Sequence, residues 1–161
     1  MILTIDITRE DYADFNKFHF FKTKLKRTII IGATTLLILQ LLIRRDQLNL
    51  TFSVFSSILF VSIYIFMIYR GLNKTKNIPA KNGSILGQKV MEFSLDKICY
   101  KTTNSEGSSD WTTIKKLEES SKAFYLYMDT NLAMVVPKRV FKDKSEEDAF
   151  KSLVVQKVNT I

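Results

Sequence analysis

The sequence predicts an α+β membrane protein in which a two-helix transmembrane hairpin is joined to a small cytosolic antiparallel β domain. Two apolar runs predict the helices, because residues 28–43 and 47–69 carry no charge and are rich in Ile, Leu, Val and Phe. A helix that crosses the roughly 30 Å hydrocarbon core needs about 20 such residues. From residue 84 onward, short segments of alternating apolar residues separated by polar turns predict the β domain.

Both apolar runs have the features of transmembrane helices. The second is long enough to span by itself, and the first is flanked by Lys26, Arg27, Arg44 and Arg45, whose long side chains can reach the headgroups. Neither run has the one-sided apolar stripe of a soluble amphipathic helix. Two buried helices of a soluble protein are disfavoured, because 161 residues offer too little material to bury them. A cleaved signal peptide is disfavoured because the first run lacks a small-x-small cleavage site.

The charges around the two runs predict the orientation of the hairpin. Residues 44–46 are expected to form a tight external turn, and of the 12 Lys and Arg in residues 1–83 only Arg44 and Arg45 lie in it. The positive-inside rule therefore places both termini in the cytoplasm of a multi-pass cell-membrane protein. These flanking residues also account for most of the net charge of +8. Attraction to anionic membrane lipids is thus favoured over nucleic-acid binding.

Residues 1–27 are predicted to form a strand followed by an amphipathic helix. Ile5 and Ile7 lie on one face of the strand, which we expect to join the sheet of the β domain. Thr8 can cap the helix, with Asp11 three residues later as in a capping box. Aromatic residues then recur at helical spacing, which indicates packing; they are Tyr12, Phe15, His19 and Phe20.

A linker at residues 70–83 leads to the β domain at residues 84–161, predicted as a meander of five strands closed by one helix. The strands are expected at 87–94, 97–103, 111–117, 122–128 and 132–136, with a polar turn at 104–108. Ser145 is predicted to cap the terminal helix, which carries the apolar stripe Phe150, Leu153 and Val154. Such a helix typically covers an open end or edge of a bent sheet.

The composition contains no catalytic or metal-binding constellation, so we expect a nonenzymatic protein without cofactor or metal. His19 is the one histidine and Cys99 the one cysteine. A closed metal site needs more ligands than this pair, and a nucleophilic triad would have to use a histidine beside the membrane. Cys99 is expected to be a small, half-buried strand residue, and a lone cysteine cannot form an internal disulfide.

The apolar runs contain no ionisable residue, whereas transporters and channels usually need buried charges or broken helices. The small and polar residues of the runs predict close helix packing instead, within the hairpin in preference to between copies. These residues are Gly32, Gln40, Ser53, Ser56, Ser57 and Ser62.

The β domain offers one candidate interaction surface. Its basic residues could face the membrane or a partner; they are Lys115, Lys116, Lys138, Arg139 and Lys142. Because 11 acidic residues are interspersed in residues 84–161, a solvated surface of mixed charge is favoured over a specific headgroup site. Three further residues are predicted to be structural anchors: Trp111, Pro137 and Phe141.

Several short motifs follow one another along nearly the whole chain. They are Glu10-Asp11-Tyr12, Phe15-Asn16, Phe18-His19, the two apolar runs, Trp111-x-x-Ile114 and Pro137-Lys138-Arg139-Val140-Phe141. In this order the chain resembles the bacterial YcxB-like proteins. The resemblance implies a C-terminal domain similar to a pleckstrin-homology domain and a place in the bacterial inner or plasma membrane. It implies no activity.

The favoured hypothesis is a nonenzymatic membrane protein whose cytosolic β domain acts as a protein-interaction or scaffold module. Its expected partners are membrane lipids and an unidentified protein or a second copy of the chain. A membrane-protective or toxin-immunity protein is the alternative, because a small hairpin with a minimal external loop suits that role. A lipid-headgroup-sensing module is less favoured, and an enzyme acting on lipid through His19 is the last hypothesis.

Overall fold

The structure is a computed structural model that describes residues 1–43, 50–80, 85–103 and 105–159. The chain forms two units: residues 1–15 with 76–161, called the β unit below, and residues 16–75, called the helical unit. The β unit is interrupted in sequence, because the whole helical unit lies between its first strand and the rest of its sheets. The predicted external turn at 44–46 lies outside the described residues.

In its described residues, the β unit contains seven antiparallel strands in two sheets, followed by a C-terminal helix. One sheet has the order β1-β2-β3-β4 and the other the order β5-β6-β7. The first sheet contains β1 (Ile2–Ile7), β2 (Gly87–Phe93), β3 (Lys97–Lys101) and β4 (Glu106–Asp110). The second contains β5 (Lys116–Glu119), β6 (Ala123–Asp129) and β7 (Leu132–Pro137), and the helix is α4 (Lys144–Asn159). The predicted α+β class is confirmed.

The N-terminal strand joins the first sheet, as predicted. β1 pairs antiparallel with β2 from Ile2 opposite Glu92 to Ile7 opposite Gly87. Alternate residues of β1 are buried, because successive side chains of a strand point to opposite faces. The buried face continues into one core with the aromatic residues of both sheets and of α4. Its largest buried members include Phe93, Phe124 and Phe150.

The strands that were predicted around residues 104–117 need correction. The predicted polar turn at 104–108 is wrong in part, since Glu106–Asp110 forms β4 and pairs with β3. Gly107 lies opposite Tyr100, and a Cβ at that position would be 2.6 Å from the Tyr100 hydroxyl oxygen. The predicted strand at 111–117 is wrong at its start, because Trp111–Thr113 forms a 3-10 turn and β5 begins at Lys116.

The helical unit begins within one continuous helical run. α1 (Arg9–His19) passes through a π-helical turn (Phe20–Lys24) into α2 (Leu25–Ile43). The second long helix, α3 (Leu50–Lys74), extends beyond the predicted span and ends in a 3-10 turn. The prediction of a linker from residue 70 is therefore wrong for residues 70–77, which are helical.

The helix caps test two further predictions. The Thr8 cap of α1 is confirmed, because the Asp11 backbone N–H donates to Thr8 Oγ1 at 3.2 Å and the Thr8 N–H donates to Asp11 Oδ2 at 2.8 Å. The prediction that Ser145 caps α4 is wrong. Asp143 takes that place, since its Oδ1 accepts the Glu146 backbone N–H at 2.8 Å.

Helices α2 and α3 contact each other through polar and small residues. Gln40 Nε2 donates to the hydroxyl oxygens of Ser56 and Ser57 at 3.1 and 3.0 Å, and Ser53 Oγ donates to Gln40 Oε1 at 2.8 Å. The predicted packing within the hairpin is confirmed for these residues. Ser62, by contrast, donates to Ile58 of its own helix.

Most apolar side chains of α2 and α3 are exposed, in contrast to those of the β unit. By length and composition, Arg9–Leu42 and Thr51–Asn77 are helices that could cross a membrane, which is weak evidence for membrane association.

Candidate interaction surface

Strand β5 lies at the edge of its sheet and has β6 on one side only among the described residues. The turn between β5 and β6 is closed by the Ser120 N–H, which donates to the Ala123 carbonyl at 2.9 Å. In an antiparallel pair, successive residues direct their backbone groups alternately toward and away from the partner strand. Counting back from Ser120, Leu117 and Glu119 therefore direct their N–H and C=O groups toward the free edge.

A groove of about 470 Å³ is lined by residues of this edge strand and of helix α4. Apolar side chains line part of it: Leu117 from β5, with Val155 and Val158 from α4. Val155, in the C-terminal half of α4, is 38% exposed. Three lysines form the rest of the lining with Glu119: Lys115, Lys116 and Lys151.

Glu119 is the centre of an ion-pair network at one end of the groove. One carboxylate oxygen accepts from Lys138 Nζ, and the other lies 2.7 Å from Lys151 Nζ. Hydrogen bonds from Lys138 and Lys151 hold the pKa of Glu119 below its usual value. Lys138 also pairs with Glu147 at 3.1 Å and lies over the Phe124 ring at 4.9 Å. This network fixes α4 to β5.

The second sheet has one face toward the core, and its opposite face is covered by the start of α1. Phe15 packs against two buried rings of β6, with centroid distances of 5.4 Å to Tyr125 and 5.9 Å to Tyr127. Burial raises the pKa of Tyr127 to about 12, and the nearby carboxylate of Glu118 acts in the same direction. The predicted packing role of the aromatic stripe is confirmed for Phe15.

Two ion pairs hold α1 on this face. Arg139 makes a two-pronged contact with Asp11 through both terminal guanidinium nitrogens, one of them 2.6 Å from Oδ2, and also donates to the Asp6 carbonyl at 2.8 Å. Burial by itself would raise the pKa of Asp11, but hydrogen bonds from Arg139 and Thr8 outweigh it and lower the pKa. The second pair joins Lys122 to Asp14 at 2.7 Å.

The predicted basic surface is divided between these places. Lys115 and Lys116 lie together at the groove, whereas Lys138 and Arg139 are engaged in the ion pairs that hold α4 and α1. Lys142 donates its backbone N–H to Glu146 at the start of α4. The sequence alone does not single out Lys151. Its spacing from Val155 and Val158 places all three on one helix face, which is the signal that could have found it.

The three predicted anchors are all buried in the β unit. Trp111 donates its indole N–H to the Ser94 carbonyl at 3.0 Å, and its ring centroid lies 6.3 Å from that of Phe93. Phe141 packs on Phe150 at 5.2 Å, and the fully buried Pro137 ends β7.

The groups with reactive chemistry are dispersed in the described part of the chain. Within it, no group of three or more His, Cys, Asp and Glu side chains could hold a metal ion. Cys99 is a free, half-buried thiol on β3. His19 is buried in the helical unit, where Thr23 Oγ1 lies 3.1 Å from its Nε2.

Comparison with known proteins supports the resemblance over part of the chain. Residues 93–154 match the family model described as YcxB, YcxB-like protein. This segment runs from the end of β2 into α4 and contains every residue of the groove except Val155 and Val158. The comparisons with curated proteins and with solved structures found no match. The predicted YcxB-like character is therefore confirmed for residues 93–154.

Proposed function

We propose that this chain is a nonenzymatic two-pass protein of the cell membrane whose cytosolic β unit is a protein-interaction or scaffold module. The observation that carries the proposal is the groove between β5 and α4. It is lined by an edge strand, by the exposed side chain of Val155 and by charged rim residues. Recognition surfaces commonly combine a partly apolar floor with a few polar groups that fix orientation.

The membrane part of the proposal is supported by the exposed side chains of α2 and α3. Leu42, Phe55 and Met67 are each at least 65% exposed, whereas apolar side chains of this size in the β unit are mostly buried. Hydrocarbon surroundings would remove the cost of that exposure. Because residues 1–15 and 76–161 belong to one unit, both flanks of the helices have to be on the same side of a bilayer. The positive-inside rule makes that side the cytoplasm.

We further propose that the β unit is similar to a pleckstrin-homology domain. Four strands in one sheet, three in the next and a C-terminal helix agree with what the YcxB-like resemblance implies. Here the two long helices are inserted between β1 and β2. The insertion would tie the domain to the membrane through both ends of the helical segment.

The first test is affinity purification of the tagged full chain in mild detergent after crosslinking in cells, followed by mass spectrometry. One dominant protein partner, recovered without any added substrate, would support the interaction module. Recovery of lipid alone, with neither a protein partner nor self-crosslinks, would contradict it. That result would favour the membrane-protective or immunity role, which predicts selective toxin sensitivity when the gene is deleted, or the lipid-headgroup-sensing role.

A further inference from the structure

We propose that the groove between β5 and α4 binds an extended acidic segment of a partner protein, which adds as a new strand to the free edge of β5. This inference rests on the proposed interaction function and names the chemistry of the partner. Three features of the groove support it: its backbone groups, its apolar floor and its charge.

The backbone groups of β5 suit an added strand. Leu117 and Glu119 direct their N–H and C=O groups away from β6, as the closing bond at Ser120 implies. An extended segment about 4.8 Å from β5 would hydrogen-bond to both residues. Lys115 and Lys116 both lie opposite Tyr127, because the register pairs Lys116 with Tyr127 while the Lys115 N–H donates to the Tyr127 carbonyl at 2.7 Å. The regular part of the free edge is therefore short. This bulge limits the added strand to a few residues.

The floor of the groove suits one aliphatic side chain. Leu117 is partly buried against the core, and Val158 is partly buried on α4. Between them Val155 remains 38% exposed. Alternate side chains of an added strand point to the same face, so one residue of the segment would cover Val155 while its neighbours face away.

The rim of the groove favours acidic residues in the segment. Both carboxylate oxygens of Glu119 are engaged by Lys138 and Lys151, so its negative charge is compensated. Lys115 Nζ donates to the Thr112 carbonyl at 3.2 Å, and within the described ranges it has no carboxylate partner. The charge of Lys115 is therefore available to a carboxylate two residues along the segment from the aliphatic residue, on the same face of the added strand. Complementary charge of this kind contributes to orientation and to partner choice.

A protein segment fits these observations better than a lipid headgroup. A phosphate needs several uncommitted cations, but Lys116 lies 3.3 Å from Glu118 and Lys151 lies 2.7 Å from Glu119. A headgroup would also leave the backbone groups of Leu117 and Glu119 and the side chain of Val155 unused. A strand uses all of them.

The binding test uses the full chain in detergent and nine-residue peptides of one alternating aliphatic pattern, made in acidic, neutral and basic versions. We expect the acidic version to bind at least about tenfold more tightly than the basic version, as a close charge contact at an interface allows.

Val155→Glu, which places a carboxylate in the groove, should weaken binding of the acidic peptide about tenfold, the effect of a central interface residue. Ala149→Glu is the matched control, because Ala149 is exposed on α4 and does not line the groove. It should change binding less than about twofold. Equal binding of all three peptides, or equal effects of the two variants, would overturn the proposal.

A second experiment separates this inference from the function on which it rests. A photo-crosslinking amino acid replaces Val155 or Ala149 in the full chain in cells. Protein adducts at Val155 whose crosslinked peptide is extended and acidic, and which are absent at Ala149, would support the groove. A partner that is recovered by general crosslinking but forms no adduct at Val155 would overturn the groove and leave the interaction module standing. Only lipid adducts at Val155, with no partner by either method, would overturn both.

Discussion

The β unit and the helical unit differ in which side chains they bury. In the β unit, aromatic rings such as Phe93, Phe124 and Phe150 are buried and ion pairs lie on the surface. In the helical unit most aliphatic side chains and several aromatic ones are exposed, while hydroxyl and amide groups lie between the helices. The first pattern is that of a water-soluble domain stabilised by the hydrophobic effect. The second agrees with helices that associate in hydrocarbon through packing and hydrogen bonds.

The same substitution should therefore have a large effect on stability in the β unit and a small one in the helical unit. Phe150 is fully buried and packs on Phe93 with a centroid distance of 4.9 Å. Phe150→Ala should destabilise the β unit by about 3–5 kcal/mol, since it leaves a cavity among aromatic rings. Hydrogen exchange of residues 87–93 in detergent would measure it. Phe55→Ala is the control, because Phe55 is 72% exposed on α3. Equal protection in the two variants would contradict the contrast between the units.

A smaller effect is expected at the close approach of α2 and α3. A Cβ at Gly32 would lie 2.7 Å from a ring carbon of Tyr64, whose hydroxyl donates to the Thr28 carbonyl at 2.7 Å. Gly32→Val should weaken the helix contact by about 1–3 kcal/mol through overpacking. Spin labels on the exposed Leu37 and Leu59 should then give a broader distance distribution.

Gly71→Val is the matched control for Gly32→Val, because nothing lies within 4 Å of a Cβ at Gly71. It should leave the label distances unchanged. If the two valine variants gave the same distribution, the contact between Gly32 and Tyr64 would not hold the helices together.

The ion pair that holds α1 on the second sheet is expected to contribute less, because Arg139 is half-exposed. Asp11→Asn removes the charged pair with Arg139 and weakens the Thr8 cap, which should cost the β unit about 1–2 kcal/mol. Lys122→Gln, which removes the more exposed partner of Asp14, should have a smaller effect. Hydrogen exchange of residues 9–15 compares the two variants. A larger loss of protection in Lys122→Gln would contradict the assignment.

The pH dependence of this contact follows from the direction of the Asp11 pKa. The pKa is lower in the folded chain than in the unfolded chain, where a carboxyl of this type titrates near pH 4. The stabilisation is therefore fully present above about pH 4 and is lost as the pH falls through the folded-state pKa. Asp11→Asn should remove this part of the acid sensitivity. An unchanged acid midpoint in the variant would show that another group is responsible.

The elements with a strong apolar period are the ones that the sequence predicts correctly. The alternation of β1 predicts one buried face, because the period of two applies to any sheet it enters, and the continuous apolar run of β6 predicts a strand that is buried on both faces. β4 carries only Glu, Gly, Ser and Asp, so no apolar period marks it. Its extended form depends on pairing with β3, which is a tertiary effect.

The candidate surface was predictable only in its local part. Lys115 and Lys116 are neighbours in sequence, and their charge can be seen there. The contact of Glu119 with Lys151 requires the packing of α4 against β5, and its contact with Lys138 requires the turn after β7; no local pattern specifies either. The same reasoning applies to Arg139, which the sequence indicates as a surface cation and which the fold places on Asp11.

The smallest expected effect concerns the start of α4, where two nearby residues could both serve as the cap. Asp143 Oδ1 accepts the Glu146 N–H at 2.8 Å, and Glu146 Oε2 in turn accepts the Lys142 N–H at 2.7 Å. Asp143→Ala should therefore cost about 1 kcal/mol, the usual value for a lost N-cap. Ser145→Ala should cost nothing measurable, since Ser145 already lies inside the helix. Thermal unfolding of the β unit, followed by circular dichroism in detergent, compares them. A larger loss in Ser145→Ala would restore the cap that the sequence favours and place the start of α4 two residues later.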